Sequence, residues 1–134
     1  MTLGGIIEAL GFGAAREAKL LVARLPRAGM AVATLDDAIA RALERGGHRV
    51  APVEAGGAEA ALSLPLPVAD DGGDALDRLV RLARAVQPGG EIIVAGGDDR
   101  ARDAGLMLRA GLTALRQDAD GAAVFTSGRV TRAT

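Results

Sequence analysis

One stretch of the sequence, residues 76–95, indicates the fold class: it has the sequence LDRLVRLARAVQPGGEIIVA. Apolar residues in its first half recur at the helical period, which predicts a helix with one buried face: Leu76, Leu79, Val80, Ala83 and Val86. Pro88-Gly89-Gly90 predicts a tight turn, because proline presets φ and glycine accepts the positive φ that follows. Glu91 to Ala95 then has the composition of a buried strand. A helix, a tight turn and a buried strand in succession are typical of α/β proteins.

Four further helices are predicted from apolar spacing and from residues that begin or end helices. Pro26 stops one of them because proline cannot continue a helix, and Gly46-Gly47 ends another. Thr34 followed three residues later by Asp37 resembles a capping box, which predicts a helix start at Thr34. Asp98 or Asp99 caps the last helix. The four predicted helices are residues 3–10, 14–25, 34–45 and 99–110.

Five further apolar runs predict strands, because they are rich in Ala, Val, Leu and Met and end at turn residues. They are residues 30–33, 49–53, 60–66, 113–117 and 122–126, and the last two flank a turn at residues 118–121. Strands that alternate with helices call for a parallel sheet covered on both faces. The sequence therefore predicts one α/β domain over residues 1–134, with a Rossmann-like three-layer build. It has a mostly parallel sheet, an antiparallel C-terminal hairpin and N-terminal helices within residues 1–25.

Composition excludes several classes of function. The chain has 134 residues, of which 49% are hydrophobic and 25% charged, as expected of one globular domain. The net charge of −1 gives no electrostatic attraction for nucleic acid or an anionic membrane, and no run is apolar enough to span one. With no cysteine and a single histidine, we expect neither disulfides nor a metal cluster. The N-terminus lacks a secretory leader, which predicts a cytoplasmic protein.

Three stretches resemble one known family. Residues 42–54, ALERGGHRVAPVE, resemble a helix that ends in Gly-His-x-Val and a second strand that ends in an acid. Residues 81–95 contain the Pro-Gly-Gly turn before a strand, and residues 110–130 are similar to a last helix and closing hairpin. In this order and spacing they resemble the class I S-adenosylmethionine-dependent methyltransferases over most of residues 25–130. The resemblance implies a Rossmann-like fold and S-adenosylmethionine as cofactor.

The same comparison reveals departures from the family at the cofactor site. In the family the first strand runs into a glycine-rich loop that lets the backbone approach the cofactor. Residues 31–37 here, AVATLDD, contain no glycine and are about three residues too short. Residues 54–66 are also compressed where the adenine would be held. The resemblance places Thr34 and Asp36 beside the cofactor, and Glu54 where a carboxylate accepts both ribose hydroxyls. Asp36 and Asp37 equally fit acids that serve the helix dipole.

Other candidate residues have ordinary structural interpretations. His48 is the sole candidate general base and has no Ser, Cys or Asp partner at a telling spacing, so we interpret it as a turn residue. The acidic residues of 70–74 lack EF-hand spacing and are interpreted as a solvated turn. Residues 96–99, GGDD, follow a strand end, where ligand sites of α/β proteins lie, but also fit a turn and a helix cap. No catalytic residue is identified.

Two functional hypotheses follow from these observations. The first is a degenerate methyltransferase-like domain that binds no cofactor and acts by association, as a homo-oligomer or as a subunit of an assembly. Its contact surface would be an N-terminal apolar stripe: Leu3, Ile6, Ile7 and Leu10. The same stripe equally fits a helix that folds back on the domain itself. The second is an active small methyltransferase, because methyl transfer depends mainly on proximity and orientation and needs few side chains. A third hypothesis is a sensor of a small ligand at the carboxyl ends of the strands.

Overall fold

The computed structural model describes residues 14–67, 73–96, 99–120 and 123–131. The predicted helix at residues 3–10 and its apolar stripe lie outside these residues. So do Asp70, Asp71 and Asp98, and residues 121 and 122 of the predicted hairpin turn.

The described residues contain four α-helices near predicted positions: α1 (residues 14–23), α2 (Asp37–Arg45), α3 (Gly73–Ala85) and α4 (Arg100–Arg109). Asp99 caps α4, since its side chain accepts a hydrogen bond from Arg102 N at 2.9 Å. The predicted capping box at Thr34 is wrong. Asp36 stands at the N-cap of α2 and caps it without a side-chain hydrogen bond, while Thr34 belongs to the preceding strand.

Six strands form one sheet in the order β2-β1-β3-β4-β6-β5. They are β1 (Ala31–Thr34), β2 (Arg49–Val50), β3 (Ala58–Ser63), β4 (Val86–Ala95), β5 (Leu112–Asp120) and β6 (Ala123–Val130). The first four run parallel to one another, and β6 is antiparallel to both of its neighbours, β4 and β5. The predicted mostly parallel sheet with a C-terminal hairpin is therefore confirmed.

Two strand boundaries differ from the prediction. The second strand has only two residues instead of five, because the chain leaves the ladder and forms a 3-10 helix at Val53–Ala55. The Pro88-Gly89-Gly90 turn lies inside β4, which pairs with β3 at Val86 and again from Glu91 onward. Gly89 has a φ of 87°, as the turn prediction required. The segment is thus an irregularity within a strand that continues past it.

Each face of the sheet carries its own hydrophobic core, which confirms the three layers. Ile92 and Val94 of β4 face one core and Ile93 faces the other, as alternation along a strand requires. One core packs α1 and α2 on the sheet, with these buried residues: Leu21, Ile39, Leu43, Val32, Leu62, Ile93 and Phe125. The other packs α3 and α4, with these: Leu79, Leu82, Ala61, Ile92, Val94, Met107 and Leu112. Among the helices so described, none is long and apolar enough to cross a membrane.

Candidate functional site at the carboxyl edge of the sheet

The candidate site lies where the strand order reverses. From β1 the chain passes through α2 to β2 on one side, whereas β3 pairs with β1 on the other side and leads through α3 to β4. In open α/β sheets such a reversal opens a crevice at the carboxyl ends of the two strands, where ligands bind. Thr34 and Asp36 come from the end of β1, and Ser63 and Leu64 from the end of β3. Thr34 and Asp36 therefore lie at the carboxyl edge of the sheet, beside the end of β3.

Asp36 bridges the two sides of this crevice. Its Oδ2 accepts a hydrogen bond from Leu64 N at 3.0 Å, just past the end of β3. Its Oδ1 lies 3.4 Å from Arg78 Nη2 of α3, and the carboxylate side chain is only 13% exposed. Both oxygens are thus directed at groups of the protein itself. This carboxylate ties the end of β1 to the end of β3 at the point where a ligand would enter.

The hydroxyl groups at the two strand ends are engaged as well. Thr34 Oγ1 accepts a hydrogen bond from Asp36 N at 3.1 Å and stabilises the turn into α2. Ser63 is fully buried, and its hydroxyl donates to Leu64 O at 2.8 Å. Each hydroxyl is hydrogen-bonded to a backbone group of its own turn, so both stabilise the walls of the crevice.

Glu54 follows β2, which runs parallel to β1, so the chain at Glu54 leaves the sheet at the same carboxyl edge as Thr34 and Asp36. It lies in the 3-10 helix after β2, and its side chain is exposed. The neighbouring Val53 packs against the core of α3, and a Cβ on Gly56 would lie 3.6 Å from Arg84 O of that helix. Within the described ranges no hydrogen bond or ion pair joins Glu54 to Thr34 or Asp36. Of the three candidates, only Thr34 and Asp36 are joined to each other by a hydrogen bond among the described residues.

Two charged residues at this edge were not identified as candidates from the sequence. Arg102 of α4 donates from Nη2 to Pro67 O at 2.6 Å, which ties α4 to the segment after β3. Asp103 lies beside it, with Oδ1 3.6 Å from Arg102 Nη1 and its side chain 4% exposed. Burial raises the pKa of the Asp103 carboxyl above its usual range. The sequence did not indicate that Asp103 is buried, because its burial depends on distant parts of the chain.

The remaining candidates have structural roles or lie outside the described ranges. His48 Nδ1 accepts a hydrogen bond from Met30 N at 3.1 Å, which joins the turn after α2 to the start of β1. Asp99 caps α4. In the part of the chain that the structure describes, no group of three His, Cys, Asp or Glu side chains could hold a metal ion.

No family model and no curated protein matches this sequence. Solved structures match it by shape. An O-methyltransferase family protein from Burkholderia thailandensis superimposes with a TM-score of 0.62 at 14% identity, over 90% of this chain. The fold is that of the class I S-adenosylmethionine-dependent methyltransferases. This chain spans only 57% of the length of that O-methyltransferase family protein.

Two other methyltransferase structures are matched over nearly their whole length. A possible histamine N-methyltransferase from Thermotoga maritima superimposes with a TM-score of 0.57 at 14% identity, and the match covers 96% of each chain. A chain in the complex between the Haloferax volcanii Trm112 methyltransferase activator and the putative methyltransferase has a TM-score of 0.61 at 13% identity. That match covers 96% of this chain and 95% of the other. At such identities the likeness establishes the methyltransferase fold.

Proposed function

We propose that this chain is a methyltransferase-like domain without methyl-transfer activity, which acts through association with protein. It does so either as a homo-oligomer or as a subunit of a larger assembly. The observation that carries the proposal is the Asp36 bridge from the end of β1 to Leu64 N and Arg78. A cofactor at the reversal point of the strand order would have to displace this bridge and leave a half-buried carboxylate unpaired, which is costly.

The turn between β1 and α2 supports the same proposal. Residues 33–36 have the sequence ATLD, so every position in it carries a Cβ. Leu35 packs against the core under α3, and the Thr34 hydroxyl holds Asp36 N. A backbone covered in this way does not offer the close approach that a glycine turn gives to a ligand.

The remaining candidate, Glu54, supplies too little binding energy by itself. A charge-assisted hydrogen bond contributes about 1.5–3 kcal/mol net. Micromolar affinity corresponds to about 8 kcal/mol. One exposed carboxylate that accepts two ribose hydroxyls therefore falls short of useful cofactor affinity.

Protein association is supported by the edges of the sheet and by one structural neighbour. β2 pairs over only two residues, and β5 is interrupted by a bulge at Ala114, where φ is 51°. Short and bulged edges disfavour the addition of a strand. We therefore assign the contact to the N-terminal stripe of Leu3, Ile6, Ile7 and Leu10. The H. volcanii neighbour is in a complex with an activator protein, so the fold can be held in a protein assembly.

Isothermal titration with S-adenosylmethionine tests the absence of cofactor binding. We expect no heat of binding up to millimolar ligand, with the Burkholderia thailandensis O-methyltransferase family protein titrated in parallel as a comparison for the assay. Glu54→Ala serves as the matched variant, because its side chain is exposed and its loss leaves the core intact.

The alternative is an active small methyltransferase, and the exposure of Glu54 after β2 favours it. The same titration separates the two. A dissociation constant near micromolar that weakens at least tenfold in Glu54→Ala would restore the enzyme and reject the non-catalytic proposal.

A further inference from the structure

A second concave site lies at the opposite edge of the sheet, at the amino ends of β1, β3 and β4. It is a cavity of about 310 Å³. Its floor is apolar, formed by Leu25, Met30, Ala60 and Ile93, and three of these belong to the core under α1 and α2 as buried residues. A cavity of this volume is at the lower end of the range for small-molecule sites.

Two charged groups on the rim neutralise each other. Glu59 Oε2 accepts a hydrogen bond from Ala31 N at 2.8 Å, and Oε1 accepts one from Arg27 Nη2 at 2.7 Å. These two hydrogen bonds lower the pKa of the Glu59 carboxyl below its usual range, so it is ionised at neutral pH. Arg27 and Glu59 therefore form a fixed, neutral pair on one side of the cavity.

The guanidinium of Arg129, on the other side, is largely unpaired among the described residues. It faces Glu91 across the β4–β6 ladder, but Glu91 pairs with Arg116, 3.6 Å away. Among the described residues, Arg129 makes one hydrogen bond, from Nη1 to the carbonyl of Gly89 at 3.1 Å. No carboxylate among the described residues pairs with Arg129, so most of its five N–H donors face solvent or the cavity.

The wall between these groups is backbone that only glycine can form. Gly89 has a φ of 87°, and its carbonyl holds the Arg129 side chain in place. A Cβ on Gly90 would clash with Val86 and lie 2.7 Å from Glu59 O. The guanidinium is thus held beside an apolar floor before any ligand arrives, which reduces the entropy lost on binding.

We propose that this cavity binds a small monocarboxylate with an aliphatic body, of the chemical class of a medium-chain fatty acid. The planar guanidinium of Arg129 binds its carboxylate through two parallel N–H···O hydrogen bonds. Its chain lies on Leu25, Met30 and Ile93. The sign of the charge follows from the surroundings: three arginines, Arg27, Arg49 and Arg116, act on two carboxylates, Glu59 and Glu91, and Arg129 adds a fourth positive charge. The site thus favours an anion.

Titration of octanoate into ¹⁵N-labelled protein, followed by NMR, tests the proposal. We expect saturable shifts of the amide signals of Gly89, Gly90 and Arg129. Acetate, which has the charge without the chain, and octanol, which has the chain without the charge, should each bind at least tenfold more weakly. Arg129→Gln should weaken octanoate binding at least tenfold, since the exposed side chain can be changed without disturbing the core.

Arg109→Gln is the matched control, because Arg109 is an exposed arginine at the end of α4 and does not line the cavity. It should bind octanoate as the unaltered protein does. If Arg129→Gln fails to fold, Arg129→Lys keeps the charge, loses the fork and should bind several-fold more weakly. Unchanged affinity in the Arg129 variants, no saturation at millimolar octanoate, or shifts confined to the Thr34–Leu64 edge would each overturn the proposal.

Discussion

At the scale of single residues, Asp36 makes two long-range contacts at the candidate site. It accepts from Leu64 N and pairs with Arg78. Asp36→Ala should lower the free energy of unfolding by about 1.5–3 kcal/mol, because a hydrogen bond to a charged group is lost and a backbone donor is left unpaired. Urea unfolding measures this loss.

Asp37→Ala is the control for Asp36, since the neighbouring acid is exposed and serves only the first turn of α2. Its loss should be about 0.3–1 kcal/mol, from the helix dipole alone. Equal losses in the two variants would show that the Asp36 bridge adds nothing to stability.

Gly89 is a position where conformation and not space limits the side chain. A Cβ there would meet no atom within 4 Å, but the φ of 87° strains any other residue. Gly89→Val should lower the free energy of unfolding by about 1–3 kcal/mol. Gly57→Ala, which has equal space and no positive φ, should change it little. A loss below about 0.3 kcal/mol for Gly89→Val in a denaturant titration would contradict the strain.

Two buried or half-buried carboxylates give opposite pH dependences. The folded-state pKa of Glu59 is lowered, so its contribution to stability is present above the usual pKa of a glutamate and is lost as the pH falls. The folded-state pKa of Asp103 is raised by burial, so stability from this group is present at low pH and is lost as the pH rises. Glu59→Gln should flatten the acid loss of stability, whereas Asp103→Asn should steepen it. Urea midpoints across the acid range measure the slope of stability against pH for each variant. Changes of slope in the same direction for both variants, relative to the unaltered protein, would contradict the assignment.

At the scale of elements, two glycines of the α4 region give a matched pair of substitutions. A Cβ meets no atom within 4 Å at either Gly105, inside α4, or Gly111, after its end. Gly105→Ala should raise the free energy of unfolding by about 0.5–1 kcal/mol, because alanine favours the helix. Gly111→Ala should lower it, since φ is 87° there. Thermal unfolding that shifts in the same direction for both would contradict this.

The ends of α4 could be predicted from the sequence because their signals are local. Asp99 caps α4 within three residues, and Gly111 has the positive φ expected after a helix. The length of β2 could not be predicted, since an edge strand extends only as far as β1 pairs with it. The partners of Asp36 could not be predicted from a local sequence pattern either. They lie 28 and 42 residues away along the chain, so the sequence showed an acid at a helix start and not a bridge.

At the scale of the whole molecule, the association proposal predicts a change of assembly. Ile6→Asp combined with Ile7→Asp removes the apolar character of the N-terminal stripe and should shift the protein to a smaller species in light scattering. Leu108→Asp is the control, because Leu108 is 61% exposed on α4 and isolated from the stripe in sequence. An unchanged oligomer with lowered stability in the double variant would instead place the stripe in the core of the domain itself.

The order of the strands also constrains how the chain can fold during translation. β4 pairs with β3 on one side and with β6 on the other, and β6 follows both β4 and β5 in the chain. Until residues 123–130 have left the ribosome, one edge of β4 has no hydrogen-bonding partner, although Ile92 and Val94 are fully buried in the finished domain. A nascent chain in this state presents an unpaired apolar strand to its neighbours. This edge of β4 is therefore covered only once β6 of the C-terminal hairpin is available to pair with it.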